Sequence, residues 1–341
     1  MNVNMIFSRI KSGLFPDKKG QMYRNLVFKG GGVRGIAYMG ALEALEEAGI
    51  IDDIERVAGT SSGAVAAALL SFRLPVSETL ALFNTLDMSR VPQNGRNGKT
   101  GSGSVLPLKN ADSYRRLFED FGWYSSDYFY EWMRETVASL CAGNGRATFL
   151  DFREKGFRDL HIVASNISRH RAEVFSARRT PHVAVADAVR LSMSIPFFFE
   201  ALRFNGSTLG RGDYFVDGGL YNNYPLHIFD KKEYADNRKN FREGINRETL
   251  GLFLYPTAIR KDNSSDIPGN LLEFVNITVR SMYDSHQLSN LDHAPTDRQR
   301  TIRINDCGVS PLRFDIGLGS EEYNALYAEG RLAVKNFFKS A

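Results

Sequence analysis

The spacing of apolar positions changes along this chain, and each change marks an element. Asn25-Leu26-Val27-Phe28-Lys29 is a short apolar run between polar flanks and predicts a buried strand. Ile36, Met39, Ala41, Leu42, Leu45 and Ala48 then recur on one face, with Glu43, Glu46 and Glu47 opposite. That spacing predicts a helix, closed by Gly49. Ile54 to Ala58 predicts a second strand, and Ala64 to Leu70 a small-residue helix that follows it. Strand, glycine-rich turn, helix, strand, turn, helix is the rhythm of an α/β domain with a parallel sheet.

After Leu70 the pattern loosens. Val76 to Leu86 reads as a helix. Val91 to Leu108, rich in Gly, Asn and Ser, reads as a mobile loop. Arg115 to Leu140 reads as inserted helices with many aromatics, Phe118, Phe121, Trp123 and Trp132 among them. Leu160 to Ser165 and Ala172 to Ser176 are strands, and Thr180-Pro181 opens a helix through Leu191. Tyr214 to Asp217 is a strand end closed by Gly218-Gly219. Lys231 to Glu248 is charged and reads as a solvated excursion. Leu250 to Tyr255 is a buried strand, Leu271 to Tyr283 a helix and Thr301 to Ile304 a last strand. Ser320 caps a final helix with Tyr323, Leu326, Tyr327, Gly330, Val334 and Phe337 on one face. No linker divides the chain. Residues 1–24 read as an extension and 25–341 as one domain, with a core over 25–230 and further strands and helices over 250–341.

Composition then removes several classes. The chain has 341 residues, 43% of them hydrophobic, enough for a large core. A net charge of +4, spread along the chain, does not suit nucleic acid and allows weak attraction to anionic lipid. No apolar run approaches the ~18 residues of a membrane span. Residues 1–24 lack the apolar centre of a secretory signal. Ile6, Ile10 and Leu14, with Arg9 and Lys11 between them, outline a short basic amphipathic helix able to touch a membrane. Cys141 and Cys307 lack metal-ligand spacing and read as free thiols in a reducing compartment. The expected location is cytoplasmic and peripheral to a membrane, with an exported effector lacking a cleaved signal as the alternative. No metal or cofactor is expected.

The candidate chemistry sits between the second strand and its helix. Gly59-x-Ser61-x-Gly63 is the pattern of a nucleophile elbow, a sharp turn with serine at its tip. The flanking glycines are needed because a Cβ at either position would strike the adjoining strand or helix. A serine hydroxyl also needs a base and donors for the oxyanion formed on attack. Gly30-Gly31-Gly32 supplies converging N–H groups, Arg34 a fixed cation, and Ser62 the second N–H of an elbow. The same stretch reads Gly30-x-Gly32-x-x-Gly35, a dinucleotide fingerprint, but no acid ends the second strand to hold a ribose. Gly98-Lys99-Thr100 lacks the earlier glycine and the strand of a phosphate loop. For the base, His227, His286 and His293 follow the serine without a distinctive turn. Asp217 ends a strand before two glycines, where its carboxylate can reach the same sheet edge. With a reference pKa of ~3.9 it is a weak base unless burial raises that value.

Gly30-Gly31-Gly32-Val33-Arg34-Gly35, Gly59-Thr60-Ser61-Ser62-Gly63 and Asp217-Gly218-Gly219, in that order, closely resemble the motifs of patatin-like phospholipases. Gly40, Ser194-Ile195-Pro196 and Asn222-Asn223-Tyr224-Pro225 extend the match. The resemblance implies a three-layer α/β/α fold with a central, mostly parallel sheet. It implies Ser61 as nucleophile and Asp217 as general base without a catalytic histidine, and an oxyanion hole from the glycine loop. The implied reaction is hydrolysis of a phospholipid or other acyl lipid through an acyl-Ser61 intermediate, at a membrane surface. Lys29 departs from the family, where Asp or Ser is common. Two alternatives stand beside this reading. One is a lipid- or membrane-binding effector, latent until a protein or small messenger binds. The other is a dinucleotide-dependent oxidoreductase. Phe197-Phe198-Phe199 and the aromatics between Trp123 and Trp132 are candidates for a greasy surface near Ser61, most of them being ordinary core.

Overall fold

The computed structural model describes residues 22–93, 111–256 and 294–339, with a few positions between 268 and 281. All but the first three residues of the loop Val91 to Leu108, the first 21 residues, His286, His293 and most of Leu271 to Tyr283 lie outside the described residues. At the centre is an eight-stranded sheet. Its parallel part comprises β1 (Asn25–Phe28), β2 (Arg56–Thr60), β4 (Asp159–Asn166), β11 (Thr249–Tyr255) and β12 (Thr301–Asn305). β5 (Arg171–Ser176), β7 (Leu202–Phe204) and β8 (Asp213–Asp217) add antiparallel neighbours. The order is β12-β11-β1-β2-β4-β8-β7, with β5 also paired to β4. The sheet is thus mixed and mostly parallel, as expected. Two smaller pairs lie outside it: β3 (Gly122–Tyr124) with β6 (Phe197–Phe199), and β9 (Phe241–Arg242) with β10 (Ile245–Asn246).

β1 is buried at every position because both of its faces are covered, the usual state of a central parallel strand. Side chains alternate across it. Leu26 and Phe28, with Val57 of β2, join the large core beneath the helices α1 (Ile36–Glu47), α2 (Ser62–Ser71) and α10 (Glu321–Lys339). Val27 and Ala58 face the other way, onto a small cluster with Phe229 and Tyr234. Between α1 and α10 lie α3 (Val76–Asn84), α4 (Ala111–Glu119), α5 (Asp127–Leu140), α6 (Phe149–Glu154), α7 (Val185–Ser192), α8 (Gly219–Asn222) and α9 (Pro295–Gln299).

Three expectations are refined. The helix expected from Pro181 begins only at Val185. Residues 180–183 form a turn closed by the Val183 N–H on the Thr180 carbonyl, and the carbonyls of Pro181 and Val183 accept the N–H groups of Leu150 and Phe149 at the start of α6. The charged segment Lys231 to Glu248 is mostly exposed, as expected, but it is not without structure. It folds into short turns and the β9–β10 hairpin, and buries Tyr234, Asn246 and Glu248. On α10 Phe337 is half-buried against the core, in keeping with the expected face, and its neighbour Phe338 is fully buried. Lys29 also finds its explanation. It is buried, its Nζ donates to the Leu254 carbonyl at 3.0 Å, and it lies 4.7 Å from the Phe253 ring centre. The lysine therefore pins β1 to β11.

α1 and α10 cross through two glycines. A Cβ on Gly40 would lie 1.9 Å from the Tyr327 carbonyl oxygen, and one on Gly330 would lie 1.9 Å from that of Ala37. Backbones this close leave no room for a side chain. Gly330→Leu should therefore destabilise by about 2–3 kcal/mol, although leucine is the better helix former. Urea unfolding checks this, and a neutral or stabilising effect would show that the crossing is not tight.

A second test concerns His227. Its Nδ1 lies 2.8 Å from Asp230 and its Nε2 3.0 Å from Asp297, and Arg300 binds both carboxylates. Hydrogen bonds to the two aspartates raise the imidazole from 6.5 to about 9. A raised folded value means stability that is full below about pH 6.5 and lost as pH rises through about 9. His227→Gln should lower the melting temperature at pH 6 and leave it nearly unchanged at pH 10. An equal loss at both values would remove the charged histidine from the account.

Candidate active site

The elbow forms where β2 meets α2. Ser61 has φ 56° and ψ −128°, a left-handed conformation that non-glycine residues avoid at a cost of about 1–3 kcal/mol. The tight packing around it makes the turn obligatory. A Cβ on Gly59 would lie 2.0 Å from the Gly63 carbonyl oxygen, and one on Gly63 would lie 2.5 Å from that of Phe28. Ser61 is buried, at 2% exposure, at the N-terminus of α2, whose dipole favours a developing negative charge.

Asp217 ends β8. The register pairs Ala164 with Asp217 on one side of β4, and Thr60 with Val163 on the other. Ser61, one residue past Thr60, and Asp217 thus rise on either side of Ala164. Neighbouring strands lie about 4.8 Å apart, so with β4 between them the two backbones are about 10 Å apart. The segment after α7 ties the two ends together. Ser192 Oγ accepts the N–H of Ser61 at 2.9 Å and donates to the Val163 carbonyl at 2.6 Å. The Ser192 carbonyl accepts the N–H of Gly218 at 3.2 Å, and the Ser194 carbonyl that of Asp217 at 2.7 Å. The Asp217 carboxylate accepts the Gly219 N–H at 2.7 Å, which fixes its orientation. Gly218 presses on the elbow: a Cβ there would lie 2.8 Å from Thr60 Cγ2. Ser192 was missed in the sequence because a helix-terminal serine is an unremarkable cap.

The glycine loop lies over the elbow, with more specific roles than its pattern implies. Gly30 donates its N–H to the Asn223 carbonyl at 2.9 Å, so it shapes the loop and is not an oxyanion donor. Gly31 donates to Ser62 Oγ at 3.1 Å. The Gly31 carbonyl accepts from Arg34 Nε at 3.0 Å. A trans peptide directs its N–H opposite its carbonyl, so this bond turns the Gly32 N–H away from Arg34. Gly32 needs its glycine for two reasons: φ is +60°, and a Cβ would lie 2.0 Å from the Pro311 carbonyl. Arg34 is not an open cation. Its Nη1 meets Asp306 Oδ2 at 2.8 Å, with both side chains 1% exposed. Its guanidinium therefore braces the loop. Gly35 sits under Ser62, whose N–H is one of the orphan donors of the α2 N-terminus.

In front of Ser61 opens a narrow apolar cavity of about 50 Å³. Ser61, Ser62 and Gly32 form its polar end. Ile36, Met39, Val65, Phe83, Leu86, Phe129 and Phe314 are among the side chains forming the rest. Chemically this is a serine hydroxyl beside a greasy slot. None of the described histidines, His161, His170, His182 and His227, lines the cavity. The dinucleotide reading fails here, because Asn223 and Ser61 fill the space beside Gly30 that a pyrophosphate would need. Among the described residues no cluster of His, Cys, Asp or Glu has the arrangement of a metal site. Trp123, Trp132, Phe198 and Phe199 are core, as most were expected to be, whereas Phe197 is exposed.

A mixed sheet with a serine on a strained strand-to-helix elbow defines the α/β proteins built around a nucleophile. Within that class the chain belongs to the patatin-like phospholipase family, whose sequence model matches residues 26–230. It is 30% identical over 324 residues to YqhO of Bacillus subtilis, covering 93% of this chain and 99% of that one. It is 27% identical over 222 residues to a probable lipid hydrolase of Invertebrate iridescent virus 6, covering 65% of this chain and 68% of the viral one. The crystal structure of VipD from Legionella pneumophila superposes with a TM-score of 0.58 at 18% identity, over 95% of this chain and 69% of that chain, a likeness in fold.

Ser192 and Ser194 differ in what they hold, and that is measurable. Ser194 Oγ only bonds back to the Arg190 carbonyl within its own turn. Ser192→Ala leaves the buried N–H of Ser61 without its acceptor and should cost about 1–3 kcal/mol. Ser194→Ala should cost less than about 1 kcal/mol. Urea unfolding of the two variants decides, and equal losses would remove the special role of Ser192.

Proposed function

We propose that the protein is a lipid acyl hydrolase of phospholipase A or lysophospholipase type, with Ser61 as nucleophile and Asp217 as general base. The observation that supports this reading is the pair of hydrogen bonds to Ser192, which draws the backbones of Ser61 and Gly218 to one residue, with Ser61 lining an apolar cavity. Ser61 Oγ attacks the ester carbonyl carbon while Asp217 takes its proton. The carbonyl electron pair moves onto oxygen, where the N–H groups of Gly32 and Ser62 hold it. Collapse of this intermediate breaks the ester C–O bond. The alcohol leaves with the proton from Asp217, and the acyl group stays on Ser61. Water then attacks the acyl carbon, Asp217 taking its proton and returning it to Ser61 Oγ as the fatty acid departs. Each oxyanion donor contributes on the order of 3 kcal/mol to such a barrier. The acyl chain lies in the cavity, whose apolar lining favours a lipid over a small polar ester. The name of the viral relative, a probable lipid hydrolase, supports the same substrate class.

Release of fatty acid from lysophosphatidylcholine micelles tests the proposal. Ser61→Ala should lower it at least about a thousandfold with the melting temperature intact. Asp217→Asn should be nearly as damaging, and changing His161, His182 or His227 should cost less than about tenfold. Persistent release by Ser61→Ala would sink the enzyme, and near-normal release by Asp217→Asn would sink the dyad.

A further inference from the structure

Beside the cavity the chain leaves one apolar face uncovered. On α4 the positions Tyr114 and Phe118 fall at i and i+4 on one helical face, with Tyr114 edge-on against Trp123 at 5.0 Å, and Phe121 follows just past the end of the helix. They are 36%, 77% and 46% exposed. The opposite side of the helix holds the contacts with the protein: Ser113 is buried, and Arg116 donates to the Trp123 carbonyl at 2.9 Å. The face continues across the β3–β6 ladder. Gly122 pairs with Phe197, so Phe121 and Phe197 lie at the same end of the ladder, and Phe197 is 54% exposed.

Two features show that these rings are held outward and are not merely loose. Phe121 and Phe197 both have positive φ, 60° and 63°. That conformation is costly for an aromatic residue and persists only where the surroundings impose it. Here Gly122 imposes it, since a Cβ there would lie 2.1 Å from the Phe199 backbone. Phe121 also leans edge-on against Tyr214 at 5.6 Å, and the Arg203 guanidinium covers the Tyr214 ring at 5.5 Å. The face is continuous with the site. Ile195, two residues before Phe197, lines the cavity, and Phe198 stacks at 5.6 Å on Phe314, which lines it too.

We infer that Tyr114, Phe118, Phe121 and Phe197 form the surface by which the protein seats itself on a lipid bilayer, with the cavity opening toward the acyl chains. The inference rests on the lipid reading of the site. A bilayer fits better than a second copy of this chain. At ~200 Å² per aromatic side chain the exposed area is about 430 Å², roughly half of the ~800 Å² per partner that a stable dimer buries. The flank of the helix carries Asp112, Arg115, Glu119 and Asp120, a net charge of −2 that offers no attraction to anionic lipid. Apolar insertion therefore drives the docking, and neither anionic lipid nor low salt is required.

The test uses the full-length chain with Ser61→Ala, so that hydrolysis does not alter the membrane, and sedimentation with phosphatidylcholine vesicles at low salt and in 0.5 M NaCl. The Ser61→Ala chain should bind at both salts. Adding Phe118→Ser and Phe197→Ser should weaken binding about tenfold or more for the pair. The same two substitutions in the otherwise natural chain should leave turnover of a soluble short-chain ester within about twofold while hydrolysis of vesicles falls with binding. Unchanged vesicle binding in the double variant, or binding abolished by salt, overturns the inference. So does a dimer in light scattering that the substitutions dissociate. Sedimentation is read without catalysis, so failure of the proposed reaction and failure of the docking face remain separable.

Discussion

The left-handed backbone of Ser61 is the constraint on which the rest of the site depends. It lifts a hydroxyl above the end of β2 at a cost of about 1–3 kcal/mol, which the surrounding structure must offset. The offset is visible in the partners. Gly59 and Gly63 close the turn against β1, and Ser192 holds the N–H of Ser61 while reaching the carbonyl of Val163. Because that same residue holds Gly218, the tip cannot move independently of the end of β8. Carboxylate and hydroxyl are therefore referenced to one backbone segment, the arrangement that a proton transfer over hydrogen-bond distance requires.

The glycine loop depends on a different part of the chain. Arg34 is fixed by Asp306, and Gly32 and Val33 meet the carbonyl of Pro311, all beyond residues 26–230. The strands that bring this segment into place are β11 and β12, at the β1 edge of the sheet. A buried ion pair of this kind adds little net stability, since desolvation opposes the attraction. It does add direction: with Arg34 held, the Gly31 carbonyl is held, and the orientation of the next N–H follows. The lysine at position 29 acts in the same way, binding a carbonyl of β11 directly below the loop.

Much of this was legible in the sequence, and the misses have physical causes. The strands Asn25 to Phe28 and Leu160 to Ser165 were plain because parallel strands buried on both faces read as unbroken apolar runs. The elbow and Asp217 were legible because they combine chemistry with obligatory glycines. Sequence patterns do not show which donors are already occupied. Gly30 and Gly32 look alike along the chain, yet only Gly30 meets the Asn223 carbonyl. Arg34 looked like an open cation because its counter-charge, Asp306, lies 272 residues away. Pro181 suggested a helix start by its own preference, but neighbouring N–H groups claimed the carbonyls around it.

The aromatic segment shows the same limit from the other side. A run such as Tyr114, Leu117, Phe118 and Phe121 announces an apolar helical face without saying what that face meets. Trp123, one residue past Gly122, goes into the core, and Phe121, one residue before it, points to solvent. The switch comes from a positive φ beside a glycine packed on the β6 backbone, which turns the chain between the two. An apolar ring held outward in water by an unfavourable backbone is doubly costly, in hydration and in conformation. Loose packing would have relaxed both costs by turning the ring inward. That Phe121 and Phe197 carry both, at the same end of the β3–β6 ladder, is the physical reason to regard their exposure as built in by the fold.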